Sequence, residues 1–259
     1  MTDKNNEIVQ KLKTAHETRE PIDFIREQYQ LDEPEAYRIQ DQFVKEKCKR
    51  TGEKIAGYKI SMTSPDTQAY ANTDEPAYGT FTESNLIQSG ASVSLTSLFE
   101  PLIEPELIFV LTDDLTAGAS ESEIISKSNL AAGLEIPDSR YKAWFPNFTL
   151  EDLLSDNGAA GLAVISGTVK TPSFEQLGSI SMELFHDEEK VGEGDSSNVL
   201  ENPASAVAWL SKKMAGHGKT LKKGAIIASG TFIPPIRAKE GTYKAVYTGI
   251  GEVIVTFTR

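Results

Sequence analysis

Phe99-Glu100-Pro101-Leu102-Ile103-Glu104-Pro105-Glu106-Leu107-Ile108-Phe109-Val110-Leu111 is the stretch from which the fold is read, and it opens a segment that runs on to Arg140. Leu102 to Leu111 is rich in β-branched and aromatic residues, stops at the turn-like Thr112-Asp113-Asp114, and has the length of a strand. Residues two apart share a strand face, so Glu104 and Glu106 project together while Ile103 and Leu107 take the other side. Pro105 has no N–H to give to a ladder, which predicts a strand end or edge at the rim of a cavity. Two carboxylates this close repel. A hard divalent cation is the simplest relief, because Mg²⁺ takes oxygen ligands and keeps waters that a substrate can displace. A third carboxylate is then expected, and Glu135 offers one at the polar end of the apolar segment Ala131-Ala132-Gly133-Leu134-Glu135-Ile136. The bland alternative for Glu-x-Glu is a solvated strand face, and the apolar setting of Glu135 weighs against it.

Around these glutamates stand Gly57-Tyr58-Lys59-Ile60-Ser61-Met62-Thr63-Ser64, Asp74-Glu75-Pro76-Ala77-Tyr78-Gly79, Leu134-Glu135-Ile136-Pro137-Asp138-Ser139-Arg140 and Ser229-Gly230-Thr231-Phe232. With the three glutamates, in this order, they resemble the 2-keto-4-pentenoate hydratase / 4-oxalocrotonate decarboxylase family of the fumarylacetoacetate hydrolase superfamily. The resemblance runs from Ala36-Tyr37-Arg38-Ile39-Gln40 to the closing strand.

That resemblance implies an α+β fold, a mixed β-sheet roll of the fumarylacetoacetate hydrolase C-terminal-domain type with an N-terminal helical segment. It implies a Mg²⁺-dependent lyase, with Mn²⁺ as a substitute, whose metal is held by Glu104, Glu106 and Glu135 and whose substrate is a small unsaturated 2-oxo acid. An enolate or dienolate stabilised by the metal then leads either to hydration of a 2-hydroxydienoate or to decarboxylation of a vinylogous 3-enedioate. Lys59 would be a surface lysine on pattern alone; the resemblance places it in the active site, handling a proton or pairing with a substrate carboxylate. Ser229 and Thr231 would line the substrate pocket, Arg140 would bind an acid group of the substrate, and Asp138 would support the metal from behind. A homo-oligomer is implied as well.

Three positions depart from the family pattern. Hydratases of the family tend to carry aspartate where Ala77 stands, and members usually have serines near Ala159 and Ala160. Ala77 favours a decarboxylase, and the three alanines together keep open a silent metal-binding or scaffold homologue. A C–C bond hydrolase is the other alternative, but no histidine accompanies the glutamates as that chemistry requires.

The 259 residues suffice for a full core, and a single catalytic domain over 1–259 is expected, with 1–52 as a helical segment packed on the roll. The formal net charge of −12 argues against nucleic acid and anionic membrane as partners. No apolar run reaches the roughly 18 residues of a spanning helix, and Met1 to Glu7 shows no secretory pattern. The lone Cys48 allows no internal disulfide and no cysteine-rich zinc site, so a cytoplasmic protein is expected. His16, His186 and His217 are scattered and receive no role, and neither a Ser-His-Asp order nor a phosphate loop is present.

Along the chain, periodicity and end signals predict helices over Asn5 to Glu20, Ala36 to Thr51 behind an Asp32 cap, Ser64 to Asn72, Glu121 to Asn129, Leu150 to Asp156 and Pro203 to Gly216. Strands are predicted at Ile55 to Ser61, Tyr78 to Phe81, Leu130 to Glu135, Leu162 to Ile165, Ile226 to Ser229 and Val253 to Phe257. Ser89-Gly90-Ala91 reads as a hairpin turn, and Glu183 to Val191 as a hairpin.

Overall fold

The computed structural model describes residues 3–259; Met1 and Thr2, which begin the N-terminal stretch read above, lie outside them. The chain starts with two long helices, α1 (Asp3–Thr18) and α2 (Glu33–Thr51). Asp32 caps α2 by accepting the Glu35 N–H at 2.8 Å, and Gly52 ends it at φ 76° with its own N–H on the Cys48 carbonyl. Ile8, Val9, Leu12, Ile39 and Phe43 are buried in the same apolar cluster that reaches Phe257 near the C-terminus. Shorter helices follow: α3 (Pro65–Ala71), α4 (Glu121–Ser126), α5 (Leu150–Ser155), α6 (Phe174–Leu177) and α7 (Pro203–Gly216).

The strands are β1 (Ile55–Ser61), β2 (Ala77–Thr82), β3 (Leu86–Gln88), β4 (Ala91–Ser94), β5 (Leu102–Leu111), β6 (Ser128–Ile136), β7 (Leu162–Lys170), β8 (Ser181–His186), β9 (Glu189–Asp195), β10 (Ile226–Thr231), β11 (Ile236–Arg237), β12 (Gly241–Tyr247) and β13 (Gly251–Thr258). They form an 8-stranded sheet ordered β2-β1-β10-β5-β6-β7-β3, with β11 added to β5, and a 5-stranded sheet ordered β4-β13-β12-β8-β9. Pairing is mixed: β1 with β10, β3 with β7 and β4 with β13 are parallel, the other pairs antiparallel. The Tyr247 hydroxyl of the smaller sheet donates to the Gly133 carbonyl of the larger at 2.8 Å. The fold is therefore the α+β, mixed-sheet architecture expected, with the helices on the sheets' flanks.

Two local expectations are corrected. Ser89-Gly90-Ala91 does not join a hairpin: β3 runs parallel to β7 in one sheet and β4 parallel to β13 in the other. The chain crosses between sheets there, with the Gly90 N–H on Ile254 and the Ser89 N–H on Ile165. Pro105 is not at a sheet edge either, since β5 lies between β10 and β6. Its missing N–H is tolerated because β5 changes partners at that point, from β10 at Glu106 to β11 at Ile103. Burial of β5 on both faces explains why its sequence is almost continuously apolar.

Candidate metal centre and active site

Register brings the glutamates together. In the β5–β6 ladder Glu104 is the direct partner of Glu135, and Glu106 that of Gly133. Carboxylate oxygens of Glu104, Glu106 and Glu135 all lie within 4.8 Å of one another. Glu106 and Glu135 are fully buried, while Glu104 edges a cavity. The Gly230 N–H donates to Oε2 of Glu106 at 2.8 Å, and Oε1 of both Glu106 and Glu135 has no hydrogen-bond partner. Gly230 makes that approach at φ 120°, and a Cβ on it would stand 2.3 Å from Oγ1 of Thr63, so only glycine fits.

Lys59, 2% exposed on β1, brings Nζ to 2.9 Å from Oε2 of Glu135. Burial alone would lower the lysine's pKa, but Glu135, Glu104 and Glu106 outweigh it and hold the ammonium above its ordinary value. Burial raises the three carboxyls against the pull of Lys59: Glu104 upward, Glu106 well above the usual carboxylate range with Glu135 and Glu104 adding to the effect, and Glu135 to about 8. A divalent cation fits this donor set. Three hard oxygen ligands converge, two with an orphaned oxygen, and buried carboxylates left without a counter-charge are costly.

A narrow, partly open cavity lies beside the cluster. Lys59, Ser61, Thr63, Thr67, Glu104 and Thr231 are its polar lining, and Tyr70, Trp144, Phe145 and Phe148 form an aromatic wall. Gly158 and Ala159 close one side from a short left-handed run, Asn157 to Ala159, at φ 57°, 62° and 52°. Asn157 fixes that run by accepting the Thr80 N–H and donating to the Thr80 carbonyl, both at 2.9 Å.

The remaining sequence-derived residues fall in different places. Thr231 lines the cavity, its hydroxyl donating to the Ile233 carbonyl. Ser229 is fully buried one residue before Gly230, and its hydroxyl has no partner. Arg140 does not reach the cavity. Its guanidinium is held by the Asp156 carboxylate and main-chain carbonyl and lies 5.5 Å from the Phe43 ring centroid. Asp138 accepts the N–H groups of Phe99 and Glu100 at 3.0 Å, tying the start of β5 to the loop after β6; burial raises its pKa to about 6. Ala77 is buried opposite Ser61 in the β1–β2 ladder. Sequence reading missed Ser61, whose buried hydroxyl is unpartnered, and the aromatic wall; the cluster Trp144-Phe145-Pro146-Asn147-Phe148 was its visible signal.

Residues 59–258 match the fumarylacetoacetate (FAA) hydrolase C-terminal family. The chain belongs to that family. Within this fumarylacetoacetate hydrolase family, a 2-keto-4-pentenoate hydratase of Burkholderia vietnamiensis is 34% identical over 226 residues, 86% of this chain and 85% of the relative. A 2-oxo-hept-4-ene-1,7-dioate hydratase of Escherichia coli is 29% identical, with 96% of each chain covered. The 4-oxalocrotonate decarboxylase of Pseudomonas putida G7, solved with magnesium and adipate, superposes with a TM-score of 0.90 at 22% identity, covering 100% of this chain and 99% of that one. At that identity the superposition speaks for the fold. Among the described residues no helix is long and apolar enough to cross a membrane.

Proposed function

We propose that this family member is a divalent-metal-dependent lyase, of the hydratase or decarboxylase type, acting on a small unsaturated 2-oxo acid. The observation that carries the reading is the triangle of Glu104, Glu106 and Glu135 with Lys59 against it, beside a cavity that Lys59 and Glu104 line. Named hydratases among the relatives and magnesium in the decarboxylase neighbour support it. Glu104, Glu106 and Glu135 would hold Mg²⁺ or Mn²⁺, which when bound supplies Lewis-acid polarisation of a 2-oxo acid and favours its enol form.

The chain's own groups do the rest. Lys59 opposes the rise that burial imposes on the Glu135 carboxyl, favouring the ionised form a metal ligand needs, and carries protons that can be exchanged with a substrate carbon or oxygen seated beside it. Thr231 and the neighbouring backbone shape the polar lining, with Ser229 packed behind it. Leu102, Trp144 and Phe148 exclude bulk water, which strengthens each electrostatic contact inside. Ala77 favours decarboxylation, since the aspartate expected of a hydratase is missing opposite Ser61, whereas the aromatic residues of the cavity lining, with Lys59 its one cation, favour a substrate without a second carboxylate and so hydration. We place the whole described chain in one catalytic unit that works as a homo-oligomer in the cytoplasm, without nucleic-acid or membrane partners.

The test is an assay on chelator-treated protein with and without Mg²⁺, using 2-hydroxypenta-2,4-dienoate and 2-oxohex-3-enedioate and following ultraviolet absorbance and CO₂. Mg²⁺-dependent consumption of either compound is expected: CO₂ from the enedioate identifies a decarboxylase, loss of the dienoate without CO₂ a hydratase. Metal-independent turnover of both would overturn the reading.

A further inference from the structure

We propose that this site selects a 2-oxo acid whose far end is uncharged and hydrophobic, and binds dicarboxylic 2-oxo acids poorly. The inference rests on the 2-oxo acid reading above and concerns which member of that class fits.

Charge is the first argument. Three carboxylates, one divalent cation and one ammonium leave the centre neutral before substrate enters. A monoacid then adds one negative charge and a diacid two. Among the described residues lining the cavity Lys59 is the one cation, and it already faces Glu135; the other charged group is Glu104, of the wrong sign. A second substrate carboxylate would be desolvated with no counter-ion, which is strongly unfavourable.

The shape and chemistry of the aromatic wall give the second. Phe145 stands 5.1 Å from Tyr70 and 5.7 Å from Trp144 between ring centroids, both edge-on, and Phe148 stands 5.8 Å from Trp144. The indole N–H of Trp144 donates outward to the Glu100 carbonyl at 2.9 Å, so the ring shows the cavity no polar atom. Arg237 holds the same loop from outside: its guanidinium bonds the Phe145 carbonyl and the Glu100 carboxylate and is half exposed. The wall thus offers π-faces and edges to an alkyl or aryl tail, and its nearby cation is turned away.

An apolar wall would speed loss of a carboxylate already pressed against it, so binding, rather than turnover, separates the possibilities. Trp144 supplies the signal. In Mg²⁺ buffer, Kd is measured by tryptophan fluorescence, and checked by calorimetry, for the saturated acids 2-oxopentanoate, 2-oxohexanoate, 2-oxooctanoate and 2-oxohexanedioate, none of which can be turned over as a dienoate. Affinity is expected to rise about fourfold per added methylene, the equivalent of roughly 0.8 kcal/mol, and 2-oxohexanedioate should bind at least tenfold more weakly than 2-oxohexanoate. Phe145→Arg should narrow or reverse that last ratio. A diacid that binds wild type as tightly as its matched monoacid, or a flat chain-length series, overturns the inference and leaves the 2-oxo acid reading standing. Failure of every 2-oxo acid to bind overturns both.

Discussion

Glu104 and Glu135 are register partners across the β5–β6 ladder, facing each other on the cavity side of the larger sheet. A one-residue slip of β6 would turn Glu135 to the other face, so the metal site and the register of β5 with β6 specify one another. Glu106 completes the triangle from the same face of β5, two residues on.

This arrangement makes the metal-free protein sensitive to alkali. Burial raises the Glu135 carboxyl from an ordinary 4.5 to about 8, so its neutral form is favoured in the fold. The corresponding stability is fully present below about pH 4.5 and is lost as pH rises through about 8. Thermal melts of chelator-treated protein should therefore fall in Tm between pH 6 and 9, while the increment of Tm given by saturating Mg²⁺ should grow over the same interval. A Tm increment that shrinks with pH would contradict the coupling.

Lys59→Met should lower kcat by about 10²- to 10⁴-fold, the range for loss of a proton-transferring group. Mg²⁺ binding, read by calorimetry, should change far less. Retention of most turnover with any accepted 2-oxo acid would withdraw the chemical role of Lys59.

Arg140→Ala should destabilise the fold by about 3–5 kcal/mol, because it leaves Asp156 buried without its partner. Urea denaturation measures this, and adding Asp156→Asn should recover part of the loss. KM of the folded fraction should be unchanged, whereas a large rise in KM would restore Arg140 to the substrate.

Much of this was legible in the sequence because it depends on local pattern. The Asp32 cap, the bounds of α7 and the shared face of Glu104 and Glu106 follow from spacing and end signals. Glu135 was found as an acid at the end of an apolar segment, but its pairing with Glu104 is a register fact that no single strand carries. The pairing of Arg140 with Asp156 was hidden for a related reason: the two are 16 residues apart, across a loop and a helix. Ser89-Gly90 looks the same whether the chain doubles back or steps between sheets, because both need a glycine at positive φ. β12 was overlooked although its alternate residues Tyr243, Ala245 and Tyr247 are buried, since Lys244 and the flanking glycines masked the period.

The most direct test is calorimetric titration of Mg²⁺ into wild type, Glu104→Gln and Glu135→Gln at pH 8, with circular dichroism confirming that all three are folded. One Mg²⁺ per chain is expected in wild type, weakened by at least about 100-fold in each variant, since losing a ligand should exceed the 10–100-fold typical of losing a group behind one. Undiminished Mg²⁺ affinity in both folded variants would contradict a metal centre built on Glu104, Glu106 and Glu135.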